Sequence, residues 1–211
     1  MDKTIMKKLD EGRQYRSFDV AGFELRAEGD AKTVEGYAST FNEPYVLWDD
    51  GEYRVLEQVD KRAFDECDMS DVILQYNHEG RVFARISNGT LTVRPDERGL
   101  KVYADLGGTE LGRQLYEEIK GGYTNKMSFG FRVDEDRRET TEEDGKVTVL
   151  RTITKISKLY DVSAVSIPAN DATSISARNY GEGVIAEVKE ERLALEQRER
   201  RKRIIKLLTE V

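Results

Sequence analysis

A chain of 211 residues with 38% hydrophobic content has apolar material for one core of moderate size plus an appendage, and too little to order every residue. Its 41 acidic and 34 basic residues leave a net charge of −7, which argues against nucleic-acid binding by the chain as a whole. One cysteine, Cys67, excludes an internal disulfide and fits a reducing compartment, and no run approaches the roughly 18 apolar residues that a membrane helix needs.

Residues 1–17 are charged and aperiodic and are expected to form a flexible or short helical arm, with no apolar run of the kind a signal peptide carries. The main domain is expected over 18–180. Short apolar/polar alternations at 18–20 and 23–27 precede a longer strand over 33–41, whose Gly36 suggests a bend or bulge. In the strand over 53–59, Tyr53, Val55, Glu57 and Val59 share one face. Residues 61–64 read as a turn or short helix, and 72–77 as a strand leading into His78. The segments 90–93 and 100–104 flank the turn 95–99 and form a hairpin by composition.

One helix interrupts the strands. Thr109 suits its N-cap, Leu111, Leu115 and Ile119 recur every four residues, and Gly121-Gly122 stops it. A strand around Ser128 runs into the charged stretch 134–146, where 142–145 reads as an exposed hairpin tip. Residues 147–156 alternate again, and 159–167 form an apolar strand ended by Pro168. The tail, 181–211, is helix-prone: its apolar stripe is broken at Arg192, 196–203 are all polar, and 204–208 offer a second small apolar face. The basic run at 198–203 reads as a solvated helical face rather than a nucleic-acid site. Many short strands with few helices predict an α+β, mainly β, barrel or sandwich.

His78, in Leu74-Gln75-Tyr76-Asn77-His78-Glu79, is the lone histidine and the default general base. Ser128, in Lys126-Met127-Ser128-Phe129-Gly130-Phe131, is the default nucleophile; Lys126 stands where the nucleophile elbow of α/β-hydrolases has its first glycine, which excludes that class. A serine–histidine pair needs a third group to fix the imidazole tautomer. Most carboxylates sit in charged stretches. Asp161 instead lies in the apolar strand Leu159-Tyr160-Asp161-Val162-Ser163-Ala164-Val165, where an unpartnered charge would cost several kcal/mol. Its partner is either His78 or a lysine or arginine. Ser163 reads as a packing or hydrogen-bonding residue. Three acidic neighbours should raise the pKa of Cys67 and suppress its thiolate. No His/Cys/Asp spacing suits zinc, so neither metal nor cofactor is expected.

In order, Tyr76-Asn77-His78-Glu79, Met127-Ser128-Phe129-Gly130-Phe131 and Tyr160-Asp161-Val162-Ser163-Ala164-Val165 with Ile167-Pro168-Ala169-Asn170 resemble the caudoviral (HK97-type) prohead maturation serine protease family. Val34-Glu35-Gly36-Tyr37-Ala38-Ser39-Thr40-Phe41 and Arg98-Gly99-Leu100-Lys101-Val102-Tyr103-Ala104 extend the likeness to about residues 18–178. The chain departs from the family's habit at Glu79, commonly Asp, at Asp161, commonly Glu, and at the turn 60–64.

The resemblance implies a herpesvirus-assemblin-like fold: a closed antiparallel β-barrel wrapped by a few helices, with a helical C-terminal tail. It implies a serine endopeptidase with Ser128, His78 and Asp161 as triad, and backbone N–H groups near Ala169 and Asn170 as oxyanion hole. Scaffold and major capsid proteins would be its substrates, cleaved inside the immature procapsid in the host cytoplasm, with the tail a docking or self-cleaved segment and self-association open. Neither membrane nor nucleic acid is expected as a partner. The alternative is a catalytically silent capsid scaffold or assembly factor on the same barrel.

Overall fold

A computed structural model describes residues 12–18, 24–26, 32–166 and 171–209. Its longest elements are two consecutive strands, β10 (Lys126–Glu143) and β11 (Lys146–Val165), which form one antiparallel hairpin turned by Asp144 and Gly145 at positive φ. Such a two-residue turn matches the twist of the flanking strands. Residues 137–145 are exposed, as the charged tip predicts.

β11 organises the rest. Its first half pairs in parallel with β5 (Tyr53–Val59), and its last residues pair in parallel with β6 (Ile73–Tyr76). β4 (Tyr45–Asp49) adds to β5, β7 (Glu79–Arg85) adds to β6, and β1 (Gln14–Phe18) adds to the free edge of β10. These seven strands make one sheet. A second sheet has the order β2-β3-β9-β8, from β2 (Glu24–Arg26), β3 (Thr33–Thr40), β8 (Leu91–Pro95) and β9 (Gly99–Asp105). Val34, Ala38, Leu100 and Val102 of the second sheet share one apolar core with Phe129, Phe131, Ile156 and Val162 of the first.

Two expectations change here. Residues 14–17, expected in a flexible or helical arm, belong to strand β1. The barrel is not closed: among the described residues each sheet keeps its edges, and the β11 pairs with β5 and β6 are parallel, so the strands are not all antiparallel. Period-2 alternation reports which face of a strand is buried, and an open curled sheet satisfies it as well as a barrel does. The first sheet does curl. β1 and β5 are three places apart, a separation of about 14 Å in a flat sheet, yet Arg16 Nε lies 2.5 Å from Glu57 Oε1. The curl is bridged by side chains across its face instead of by a closing ladder.

The helix α1 (Glu110–Lys120) is capped by Thr109, whose Oγ1 accepts from Gly112 N at 2.9 Å. Its buried face is Gly112, Leu115, Tyr116 and Ile119; Leu111, expected inside, is 37% exposed. The helix α2 (Asp171–Thr209) starts ten residues before the helix-prone tail expected from 181 and runs through the boundary expected at 180/181. Val184 and Ile185 are buried against Tyr53, Val55, Val147 and Val149. Gly181 allows this approach, because a Cβ there would stand 2.7 Å from Trp48 Cβ. Farther along, Leu193, Leu195, Ile204 and Ile205 are exposed. Neither helix is long and apolar enough to cross a membrane.

Candidate active site

The chemistry-bearing residues meet where β10, β11 and the β6–β7 hairpin converge. Ser128 is opposite Ser163 and Gly130 is opposite Asp161 in the β10–β11 ladder. The two-residue spacing on each strand puts all four on one face. Gly130 is required there: a Cβ would lie 2.2 Å from Asp161 Oδ1 and 2.8 Å from Arg13 Nε.

His78 reaches this face from a two-residue turn. Tyr76 pairs with Glu79, and Asn77 and His78 between them have φ of +51° and +61°. Asparagine favours this left-handed turn conformation; histidine adopts it less readily, a strain that persists where the surroundings fix it. Here Asn77 N donates to Ala164 O at 3.0 Å, His78 N donates to Ser163 Oγ at 3.2 Å, and Ser166 N donates to Asn77 Oδ1 at 3.4 Å. The Asn-His dipeptide is therefore a turn that aims a ring.

The ring bridges the other two residues. His78 Nδ1 is 2.5 Å from Asp161 Oδ2, and Nε2 is 2.6 Å from Ser128 Oγ. With the proton on Nδ1, Nε2 can accept from the serine hydroxyl, the arrangement of a base ready to deprotonate a nucleophile. Burial pulls the pKa of Asp161 up, but the opposing pull of His78 and Arg13 is stronger and holds it below the ordinary carboxylate value. Ser163 Oγ donates to Asp161 Oδ2 at 2.9 Å, so this side chain fixes both the carboxylate and, through the His78 backbone N–H, the turn. The hydrogen-bonding role read for Ser163 from the sequence is the one seen.

Residues 21–185 match the model of the caudovirus prohead serine proteases. The chain belongs to that family. A solved structure of the bacteriophage T4 capsid assembly protease, gp21, aligns over 74% of this chain and 99% of its own, with 11% identity and a TM-score of 0.35, a likeness too slight to carry residue correspondences. No curated protein matches the chain.

In this prohead protease, Asp161 answers the question of its partner in both ways. Oδ2 faces His78, while Oδ1 pairs with Arg13. The tyrosine between Arg13 and Arg16 is equally close to the site: the Tyr15 ring packs on the His78 ring with centroids 4.4 Å apart. Burial, more than the Asp161 and Glu79 charges, raises the Tyr15 pKa, against the lowering pull of Arg13. Arg16 O accepts from Ser128 Oγ at 2.8 Å. Sequence reasoning allowed a lysine or arginine beside Asp161 without pointing to Arg13, and it missed the Tyr15 and Arg16 contacts of β1; the available signal was a tyrosine flanked by arginines just ahead of the first apolar segment. Ala169 and Asn170, expected near the oxyanion, lie outside the described residues. Burial first, and Asp68 second among the raising influences, push the Cys67 thiol up to about 12, which disfavours a thiolate.

A second buried ionic cluster lies on the opposite face of β1. Glu57 accepts from Arg16 at 2.5 Å and from Arg151 at 2.8 Å, and Tyr45 also hydrogen-bonds it. Burial pulls the Glu57 carboxyl up, yet Arg16 and Arg151 hold it down at about 2.

Proposed function

We propose that this prohead protease cleaves peptide bonds with Ser128 as nucleophile, His78 as general base and acid, and Asp161 as the group that orients the imidazole. The observation that supports this reading is the continuous chain of contacts from Asp161 through both ring nitrogens of His78 to Ser128 Oγ. In acylation, Oγ attacks the scissile carbonyl while its proton passes to Nε2. The imidazolium so formed keeps its Nδ1–H on Asp161, and Nε2–H is then given to the leaving amine. Water repeats the sequence on the acyl-enzyme. Backbone N–H groups near Ala169 and Asn170 would hold the oxyanion, each such donor contributing about 3–4 kcal/mol.

The substrates in this reading are the scaffold and the terminal extension of the major capsid protein, cut inside the immature shell. A silent scaffold would have no use for a hydrogen-bonded serine–histidine–aspartate series. Co-expression with the phage's own capsid and scaffold proteins tests the reading. Intact masses should show both trimmed with the native chain and untrimmed with Ser128→Ala, while shells assemble in each case. Equal trimming with Ser128→Ala would remove Ser128 from the mechanism.

A further inference from the structure

The helix α2 outruns the body on which it is seated. Val184 and Ile185 are buried, Glu187 pairs with Arg138 at 2.9 Å, Lys189 lies over the Tyr53 ring, and Arg192 pairs with Glu142 at 2.6 Å. The helix then continues from Leu193 to Thr209, about 25 Å at 1.5 Å per residue. Every residue from 189 to 206 is exposed, Leu193 and Ile204 among them. A helix that packs on nothing lacks the tertiary burial from which helices in proteins draw most of their stability.

Three features describe what would cover it. The first is spacing. Leu193, Gln197, Arg200 and Ile204 follow one another at intervals of four, three and four, the seam of a two-stranded coil with apolar ends and a polar middle. The second is charge. Residues 187–196 hold four acidic and two basic side chains, and residues 197–206 hold one acidic and six basic. The helix dipole rewards cations in the last turn, but this basic run starts three turns from the end. The third is the tip of the β10–β11 hairpin. Arg192 holds Glu142, so the exposed acidic tip of Glu142, Glu143 and Asp144 stands beside α2 near Arg192.

A second copy of this chain, running antiparallel, answers all three. With the seams aligned, Leu193 meets Ile204 of the other copy and Gln197 meets its Arg200, each pair occurring twice by symmetry. Glu196 then faces Arg203 across the edge of the seam. The basic end of each helix, from Arg203 to Lys206, comes alongside the acidic hairpin tip of the other copy. A parallel pair fails on the same residues, because Arg200 would stack on Arg200 and each basic half on another. The antiparallel pair also keeps the two bodies apart, with their seats at Val188 separated by roughly 30 Å along the shared axis.

We propose that this protease self-associates through the outer half of α2, two copies forming a short antiparallel coil over residues 190–207. The seam has only two apolar layers, one at each end, so the association is reversible and sensitive to salt.

The test uses the full chain carrying Ser128→Ala, which keeps the tail whole. Sedimentation equilibrium over roughly 1–300 µM, the range suited to a weak coil, should show the mass rising from one chain to two. Raising the salt from about 0.05 M to about 0.5 M should move that rise to higher concentration. Glu196→Lys alone and Arg203→Glu alone should each weaken association by roughly tenfold, since two opposite-charge pairs in each dimer become like-charge pairs. The double variant exchanges the two charges and should restore it. Thermal unfolding of the body should be the same in all three variants, because both residues lie beyond the seat. A chain that stays monomeric throughout overturns the proposal, whether or not its tail then binds scaffold protein. Rescue of Glu196→Lys by Arg201→Glu instead of Arg203→Glu would mark the pair that a parallel coil brings together and would overturn the antiparallel arrangement.

Discussion

The molecule buries two carboxylates against β1, and it uses them differently. Asp161 faces a histidine, which can give up its proton, and an arginine whose side chain is 34% exposed. Glu57 faces Arg16 and Arg151, both fully charged at any physiological pH and 3% and 0% exposed. The first arrangement stabilises a charge that comes and goes. The second locks a charge in place. The same desolvation that makes one site able to move a proton makes the other a clamp, and the difference lies only in whether a partner can titrate.

Isosteric substitutions should separate the two roles. Asp161→Asn should lower turnover on a peptide substrate by a factor on the order of 10⁴, because the amide no longer holds the imidazole in its working tautomer. It should change stability little, since Arg13 can turn to water and His78 can stay neutral. Urea titration and steady-state rates on the full chain check both halves. A large stability loss with near-normal turnover would reverse the assignment of the two clusters.

Glu57→Gln should do the opposite. It leaves the buried Arg16 guanidinium without its counter-charge and Arg151 with Asp136 alone, and should cost about 3–5 kcal/mol of unfolding free energy. Acid should act on the same group. The Glu57 carboxyl is held at about 2 against an ordinary 4.5, so its contribution is complete above about pH 5 and is lost as pH falls toward 2. The shift corresponds to roughly 3 kcal/mol. Unfolding free energies measured from pH 6 down to pH 2 should therefore fall less steeply in Glu57→Gln than in the parent.

The apolar seat of α2 gives the comparison a control that carries no charge. Ending the chain at Gly183 removes the buried Val184 and Ile185 and should cost about 3 kcal/mol. Ending it at Lys189 keeps that seat and should stay within about 1 kcal/mol of the full chain. Neither loss should depend on pH between 5 and 8. If the two truncations were equally stable, the Tyr53–Val55 face would not need the helix.

The readable residues were those whose type clashed with their setting. Asp161 interrupts an apolar strand, His78 has no competitor, and Ser128 stands before a glycine whose absent Cβ makes room for the Asp161 carboxylate. The alternation of 53–59 correctly put Tyr53, Val55, Glu57 and Val59 on a buried face. What contacts Glu57 was not legible, because Arg16 and Arg151 are 41 and 94 residues away and meet it only through sheet curl and parallel register. β1 was hidden for a related reason. Gln14 and Arg16 look solvated in one dimension, and their burial depends on a pairing with β10 more than a hundred residues later. Closure of the sheet was beyond reach from alternation, which is the same in a barrel and in an open sheet.

The long hairpin holds one more consequence. Between Gly130 and Asp136 the β10–β11 ladder shifts register four times. A slip of one residue normally turns every later side chain to the wrong face. Here the irregular stretch separates the pairing of Ser128 with Ser163 from that of the outer hairpin, so each end keeps its own alignment. Descendants of this chain can lengthen or shorten the outer hairpin, where it meets the world outside the enzyme, without disturbing the residues that align at Ser128. Insertions found in related chains should accordingly gather beyond Asp136 and before Val147, where the register with β5 begins.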